Sequence, residues 1–343
     1  MDAEKKPLIS LVVPVYNGSG TLKRCLDSVL SQAGVGFEVI IVNDGSTDTT
    51  AEILDEFRAC DPRIRPLHHS HAGIVPALNA GMGLARGQFI ARMDADDVCC
   101  PDRLRLQSEY LFQHPGAGLV GGLVLYGGDR RRQLGYAIHV DWLNNIRTPE
   151  EIQLNRFVES PFAHPSVMFR KQLLDQHGGY RDGPFPEDYE LWLRWMDAGV
   201  EMAKIDAPVV VWNDPPHRLS RTDKRYSVDA FYRCKAEYLA RWLKKTTGKD
   251  HPSIAVWGAG RTTRKRAEYL GGFGIEISAY IDIDPRKIGQ TIHGRPVIGE
   301  HEIEGVSVDF IVPFVGSRGA REDIRKRLTA QGFIEGRHYI MAA

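Results

Sequence analysis

Residues able to do chemistry cluster at a few places in this 343-residue chain. The densest is Asp94-Ala95-Asp96-Asp97, directly after the apolar run 89–93. Carboxylates packed this closely repel one another unless a cation compensates them. Hard divalent ions such as Mg²⁺ or Mn²⁺ take oxygen ligands and commonly share carboxylates with substrate phosphates. The bland alternative is a solvated acidic turn or a helix cap. Asn43-Asp44-Gly45-Ser46-Thr47-Asp48 follows a second apolar run. Asp-Gly-Ser is ordinary turn chemistry, but Asp44 at a strand end could also hydrogen-bond a nucleobase or ribose. Tyr16, after the run 8–15, could stack on a base or simply pack. Glu187-Asp188 opens a helix-patterned segment, where acidic residues suit the helix dipole and where one carboxylate could serve as a general base. Glycoside hydrolysis also uses two carboxylates, but these flank the bond from separate positions. Adjacent residues at a helix start point apart, which argues against a hydrolase pair.

The elements that must position these groups follow from periodicity. Residues 8–15 are continuously apolar, as in a strand buried on both faces. Leu22, Cys25, Leu26, Val29 and Leu30 then follow helical spacing. Residues 37–42, 64–67 and 89–93 predict further strands, with helices around 53–57 and 75–85 between them. Strand-helix alternation with short connections implies a doubly wound, mainly parallel α/β sheet. Such sheets bind ligands beyond the strands' C-terminal ends, where Tyr16, Asp44 and Asp94 fall. Past Pro101 the pattern is less regular, with strands expected at 167–169 and 209–212 and a helix at 189–198. Residues 217–249 hold ten Lys and Arg against three Asp and Glu. Within them Val228, Phe231, Tyr232, Leu239, Trp242 and Leu243 share one helical face, and a polar linker follows.

A second strand-helix-strand unit starts at Ile254. Gly258-Ala259-Gly260 follows its first strand and Asp282 ends the next, a partial dinucleotide fingerprint in which Thr263 stands where a third glycine belongs. The expected organisation is therefore residues 1–222 as one α/β domain, 223–250 as a basic amphipathic helix and linker, and 251–343 as a smaller Rossmann-like α/β domain. The basic helix could touch anionic lipid, although packing of its aromatic face against protein explains the same pattern.

Composition limits the alternatives. With 43% hydrophobic and 26% charged residues, the chain is neither disordered nor fibrous. Forty-four Lys and Arg balance 44 Asp and Glu, which leaves no nucleic-acid footprint. No apolar run approaches the roughly 20 residues of a membrane span, and residues 1–6 lack the apolar segment of a signal peptide. Five cysteines without metal-type spacing fit reduced thiols in a cytoplasmic protein.

Taken in this order and spacing, Pro14-Val15-Tyr16-Asn17, Asn43-Asp44-Gly45-Ser46-Thr47-Asp48, Asp94-Ala95-Asp96-Asp97 and Glu187-Asp188 resemble glycosyltransferase family 2, inverting enzymes of the GT-A fold. Leu78-Asn79-Ala80-Gly81, Ala85-Arg86-Gly87, Pro101-Asp102-Arg103-Leu104 and His164-Pro165-Ser166-Val167-Met168-Phe169-Arg170 support the likeness, which covers roughly residues 7–222. The resemblance implies transfer of a hexosyl or N-acetylhexosaminyl group from a nucleoside-diphosphate sugar, with UDP as the nucleotide, to a saccharide or lipid-linked glycan acceptor in cell-surface glycan or polysaccharide synthesis. It assigns donor binding to Pro14, Tyr16, Asn17, Asp44, Asn79 and Asp94. A Mn²⁺ or Mg²⁺ ion falls to Asp94, Asp96 and His217, with Asp97 as the alternative close ligand. Asp188 would be the base, supported by Glu187. Around His217 the residues Trp212-Asn213-Asp214-Pro215-Pro216 depart from the commoner family pattern. The expected location is the cytoplasm, with peripheral contact at the inner face of the membrane if the basic helix meets lipid. Competing functions are a non-catalytic sugar-nucleotide-binding protein and an NAD-dependent sugar oxidoreductase working through the C-terminal domain. A nucleotidyltransferase is disfavoured because no glycine-rich, basic N-terminal loop is present.

Overall fold

In a computed structural model of the chain, which describes residues 6–215, 218–317 and 319–343, the apolar runs become the inner strands of two sheets. The first contains β1 (Ile9–Val15), β2 (Phe37–Asp44), β3 (Ile64–His69), β4 (Phe89–Arg92), β5 (Val98–Cys99), β6 (Ala117–Tyr126), β7 (Met168–Arg170) and β8 (Glu201–Trp212). Their order is β3-β2-β1-β4-β7-β6-β8-β5. Strands β3, β2, β1 and β4 run parallel. β7 is antiparallel to both β4 and β6, whereas β6 and β8 run parallel.

Every residue of β2 is buried, and all of β1 except Pro14, as a strand covered on both faces requires. The helices Leu22–Leu30 and Ile74–Gly83 cover this sheet, turning Leu22, Cys25, Leu26 and Val29, and Val75, Leu78 and Met82, inward. Parallel register pairs Val15 with Asn43, Asp44 with His69 and Val12 with Arg92. Tyr16, Asp44 and Asp94 therefore emerge at one edge of the sheet.

The opposite edge is fastened by Glu38, whose buried carboxylate accepts bonds from Ser10 Oγ and the Arg86 N–H and pairs with Arg65 and Arg86. Burial alone would raise its pKa, but these partners hold it below the usual value. Gly87 lies so close to β1 that an added Cβ would sit 2.6 Å from the Ser10 nitrogen.

The second sheet contains β9 (Ser253–Trp257), β10 (Glu276–Ile281), β11 (Thr291–Ile292), β12 (Arg295–Ile298) and β13 (Phe310–Pro313), in the order β11-β12-β10-β9-β13. Its parallel strands follow the doubly wound pattern, with the first strand of the unit between the second and the last.

Contacts divide the described chain into two compact units that do not follow sequence order. One holds residues 6–152, 161–182 and 198–222; the other holds 153–160, 183–197 and 223–343. The helix Glu187–Asp197 thus belongs to the second unit. There it meets the helix Val228–Thr247: Tyr238 donates to Glu190 Oε1 at 2.6 Å, and the Tyr189 and Phe231 rings lie 5.4 Å apart. The aromatic face of Val228–Thr247 also meets β13, with Trp242 edge-on to Phe310 at 5.3 Å. Arg233, Arg241 and Lys245 are left exposed.

β8 is longer than its apolar end suggested, because Glu201, Lys204 and Asp206 interrupt Glu201–Pro208 and leave no apolar run there. The helix Leu134–Asn145 spreads its apolar and aromatic residues around its circumference, and Pro149–Asn155 is only 7 residues long, so neither shows a clear period.

Candidate functional site

The loops after β1 and β2 are bound to each other. Asn17, with a left-handed φ of 51°, donates its N–H to Ser46 Oγ at 2.8 Å and accepts from the Thr47 N–H at 2.8 Å through Oδ1. Asp48 accepts from the N–H groups of Ser19 and Thr50. Against the upward push of burial, bonds from Thr50 and Ser19 hold its carboxyl at about 2. These bonds set the position of Tyr16, which is half exposed and stacks on His71 with ring centroids 4.1 Å apart.

Asp44 is buried, and its oxygens accept the N–H groups of Ala72 and Gly73, both at 2.9 Å. The same carboxylate lies 2.8 Å from His71 Nδ1. Asp44 therefore shapes the loop that presents His71 to Tyr16.

Past β4 the chain turns sharply, with the Asp97 N–H bonded to the Asp94 carbonyl. One carboxylate oxygen each from Asp94, Asp96 and Asp97 falls within 4.8 Å of the others. Burial, then Asp94, pushes the Asp96 carboxyl up to about 6; burial and both neighbours push Asp97 well above its usual range. Asp97 Oδ1 accepts the Asn213 N–H at 2.7 Å, whereas its buried Oδ2 has no hydrogen-bond partner. Buried carboxylate oxygens are normally satisfied. An unpartnered one beside two further carboxylates is the donor set a hard cation uses.

Two guanidinium groups attend this cluster. Arg92 is buried and ion-paired with Asp94. Arg218, sandwiched against Tyr136 and Trp212 at 4.8 and 4.7 Å, lowers the pKa values of Asp96 and Asp97. Arg92, Arg218, Asn213 and His71 are functional neighbours that motif reading passed over. Arg92 carried a signal, since a charge in the middle of the apolar run 89–93 demands a buried partner.

Asn79, on the helix Ile74–Gly83, brackets the backbone of Tyr180 instead of standing open in the crevice: its Nδ2 donates to the Tyr180 carbonyl at 2.9 Å and its Oδ1 accepts the Tyr180 N–H at 3.1 Å. In the second unit, Glu187 is buried and accepts the Tyr226 hydroxyl at 2.6 Å. Burial and that carboxylate raise the Tyr226 pKa. Asp188 is less buried than Glu187 and accepts the Tyr189 N–H. His217 lies outside the described residues.

The sequence model of Glycosyl transferase family 2 matches residues 10–178, which carry Tyr16, Asp44 and the three clustered aspartates. Residues 10–178 belong to glycosyltransferase family 2. The O-antigen biosynthesis glycosyltransferase WbnJ of Escherichia coli is 27% identical over 248 residues, 70% of this chain and 91% of the relative. Chondroitin synthase of Pasteurella multocida is 41% identical over 100 residues, 29% of this chain. The chain matches only about a tenth of the length of that synthase and of the hyaluronan synthase of the same species. Among solved structures, S. aureus TarS 1–349 in complex with UDP-GlcNAc aligns with a TM-score of 0.53 at 17% identity, covering 77% of this chain and 80% of that one. This confirms the GT-A fold expected from the motifs. A second sequence model, described as C2185-like, N-terminal, matches residues 251–339.

Outside the family 2 segment, a cavity of about 300 Å³ opens at the C-terminal ends of β9 and β13, lined by Trp257, Gly258, Thr263, Ile283 and Arg327 among others. The acidic residue that would meet a dinucleotide ribose, Asp282, is already engaged. It accepts the Ala259 N–H, the Asp284 N–H and Lys287 Nζ at 2.9 to 3.0 Å. An added Cβ at Gly258 would lie 2.7 Å from Thr263 Cγ2, so threonine fills space that the fingerprint's third glycine leaves open. These residues do not fit a dinucleotide bound in the Rossmann manner.

Proposed function

We propose that the protein is an inverting, divalent-metal-dependent glycosyltransferase that moves a hexosyl or N-acetylhexosaminyl group from a UDP-sugar to a hydroxyl of a saccharide or lipid-linked glycan acceptor, in cell-surface polysaccharide synthesis. The observation that carries this reading is the aspartate cluster with the unpartnered oxygen of its buried Asp97, set beside Tyr16 and Asp44 at the C-terminal edge of one sheet.

Asp94, Asp96 and Asp97 would hold Mn²⁺ or Mg²⁺, with His217 as the further ligand that the resemblance supplies. When bound, the ion neutralises charge developing on the diphosphate. The protein's own groups do the rest. Tyr16 offers an aromatic face to the base, Asp44 a carboxylate to its edge, and Pro14 and Asn17 shape the loop around it. Arg218 adds a fixed positive charge where the leaving group gathers negative charge. Asp188 accepts the acceptor O–H proton while that oxygen's lone pair attacks the anomeric carbon. The bond from this carbon to the diphosphate oxygen breaks, and its electron pair leaves with UDP. Attack opposite the leaving group inverts the centre. Glu187, bonded to Tyr226, keeps the start of the helix that carries Asp188 in place.

No helix among the described residues is long and apolar enough to cross a membrane. Five cysteines without disulfides fit the cytoplasm, and the names of the polysaccharide- and O-antigen-synthesising relatives support the acceptor class. Calorimetric titration of UDP, GDP, CDP and ADP, with and without Mn²⁺, tests the proposal on wild type and Asp96→Ala. Manganese-dependent binding of UDP that the variant loses is the expected result. Folded wild-type protein that binds none of the four would overturn it.

A further inference from the structure

The cavity at the ends of β9 and β13 lies where a sheet of this kind takes its ligand. Within the second unit, the order β11-β12-β10-β9-β13 sets the first strand, β9, between β10 and β13. The chain leaves β9 for one side of the sheet and later returns to the other. Crossovers that diverge in this way open a crevice beyond the C-terminal ends of the two strands, the switch point at which doubly wound sheets bind ligands. Trp257 and Gly258 line the cavity from β9, and Val315 and Ser317 line it from the chain after β13. Its volume is about 300 Å³, at the lower end of the roughly 300–1,000 Å³ of ligand sites.

The charges of the lining narrow the ligand's chemistry. Lys287 Nζ lies 2.9 Å from Asp282 Oδ2, and Arg327 Nε lies 2.9 Å from Asp323 Oδ2, so both cations are already neutralised. Glu300, 2.8 Å from Arg327 Nη1, adds a further negative charge. The helix Ala320–Ala330 carries Glu322 and Asp323 in its first turn, where acids offset the dipole that would draw a phosphate. An anion gains little in such a place. A hydroxyl fits it, because it donates to a carboxylate while accepting from an ammonium or guanidinium, and each ion pair presents both. Apolar surface comes from Trp257, Ile283 and Ile324, and Ile283 is 58% exposed. A molecule with a rim of hydroxyls around an apolar C–H face is a pyranose.

Gly260 adds an independent observation. Its φ of −67° and ψ of 151° are open to any residue, and an added Cβ would meet nothing within 4 Å. Neither backbone nor packing calls for glycine at this position, and its missing side chain leaves the wall of the cavity open.

We propose that this cavity binds a pyranose saccharide, with its hydroxyls bonded to the Asp282–Lys287 and Asp323–Arg327 pairs and its C–H face against Ile283 and Ile324. Every group named belongs to the second unit. The inference goes beyond the transferase reading and stands without it, since the site uses neither nucleotide nor metal and makes or breaks no bond.

Full-length protein in EDTA, without nucleotide, would be titrated with the methyl glycosides of glucose, galactose, mannose and N-acetylglucosamine and followed by saturation-transfer NMR. At least one glycoside should bind with a Kd on the order of 1–10 mM, weakened about tenfold or more in Gly260→Ile and in Ile283→Asp. The first variant fills the opening. The second puts a charge in place of an exposed apolar face, and it decides the test should Gly260→Ile fail to fold. Folded variants should keep the wild-type affinity for UDP in Mn²⁺, which separates this site from the donor crevice. Three results would each overturn the inference: no glycoside bound at about 50 mM, binding that every folded variant leaves within twofold of wild type, or a cavity that takes UMP or NAD⁺ instead and loses it in the variants. Wild-type protein that binds a glycoside but no UDP would sink the transferase reading and leave this site standing.

Discussion

Replacing Asp96 with asparagine should make the metal-free protein more stable while destroying its metal site. In the aspartate cluster, burial and the Asp94 charge raise the Asp96 carboxyl from 3.8 to about 6. A carboxyl with a folded pKa above its unfolded value keeps its proton more tightly in the folded state. Its stabilising contribution is therefore complete below about 4, falls as pH rises toward 6, and is gone above 6. Each pKa unit corresponds to ~1.4 kcal/mol, so the ionised side chain costs about 3 kcal/mol at pH 8 as an upper bound. Asparagine keeps the shape and removes the charge. Allowing half of that bound for solvent screening and imperfect hydrogen bonding leaves ~1.5 kcal/mol, or about 3–6 °C in Tm for a domain of this size.

The measurement is thermal unfolding of wild type and D96N in EDTA from pH 4.5 to 8. The two curves should nearly coincide at the acid end, diverge through pH 5–6 with the variant higher, and run parallel above. With excess Mn²⁺ the order should reverse, because only wild type gains ligand stabilisation, ~2.7 kcal/mol at a hundredfold excess over Kd. The variant's Mn²⁺ affinity should fall at least ~100-fold, which is ~2.7 kcal/mol. A D96N protein that melts below wild type in EDTA at pH 8 would refute the reasoning, since it would mean that the cluster's repulsion is already compensated within the protein.

Three further outcomes are expected. Asp188→Asn should bind UDP and Mn²⁺ as wild type does while UDP release from a UDP-sugar falls ~10²–10⁴-fold; a loss under tenfold would remove Asp188 from the base's role. Gly87→Ala would force a Cβ to within 2.6 Å of the Ser10 nitrogen and 2.7 Å of the Ile9 carbonyl carbon, so denaturant titration should show destabilisation of about 1–3 kcal/mol. Metal affinity of the wild type should decline as pH drops below about 6, because Asp96 must release its proton to act as a ligand, and Mn²⁺ titrations at pH 5 and 7.5 read this directly.

The half of the fold that holds the candidate site was legible because it is written in local pattern. Residues 8–15 and 37–42, apolar apart from Ser10 and Glu38, are runs that only a doubly covered strand can bury, and Tyr16, Asp44 and Asp94 are legible as strand-end residues once the strands are known. β8 was legible only at its apolar end, since Glu201, Lys204 and Asp206 interrupt its first half. Membership of the helix Glu187–Asp197 in the second unit rests on Tyr226 reaching Glu187 and Tyr238 reaching Glu190 over 39 and 48 residues. No periodicity records such pairings. His71 escaped notice because its role comes from a backbone loop held by Asp44, a bond between an acid and peptide N–H groups that have no sequence signature. Arg218 escaped because nine other basic residues follow it between 219 and 249 and only the aromatic stack of Tyr136 and Trp212 singles it out.

Asp44 faces two demands, and a single substitution separates them. Its oxygens already accept the Ala72 and Gly73 N–H groups and lie 2.8 Å from His71 Nδ1, yet a carboxylate has about four lone-pair sites, so one remains to meet a base. Uracil presents an N–H at ring position three, whereas cytosine presents a lone pair there. A buried carboxylate should therefore favour UDP over CDP. Asparagine at position 44 has one acceptor oxygen and one NH₂ group, so one of the two backbone N–H groups is left facing a donor, at a cost of about 1–3 kcal/mol. The 71–73 loop should loosen its hold on His71, and every nucleotide should bind more weakly. The amide can also turn its donor toward cytosine, so the preference for UDP over CDP should collapse in Asp44→Asn. Calorimetry with both nucleotides in Mn²⁺ measures the ratio. A variant that weakens UDP and CDP by the same factor would leave Asp44 as loop support alone and move base selection to the Tyr16–His71 stack.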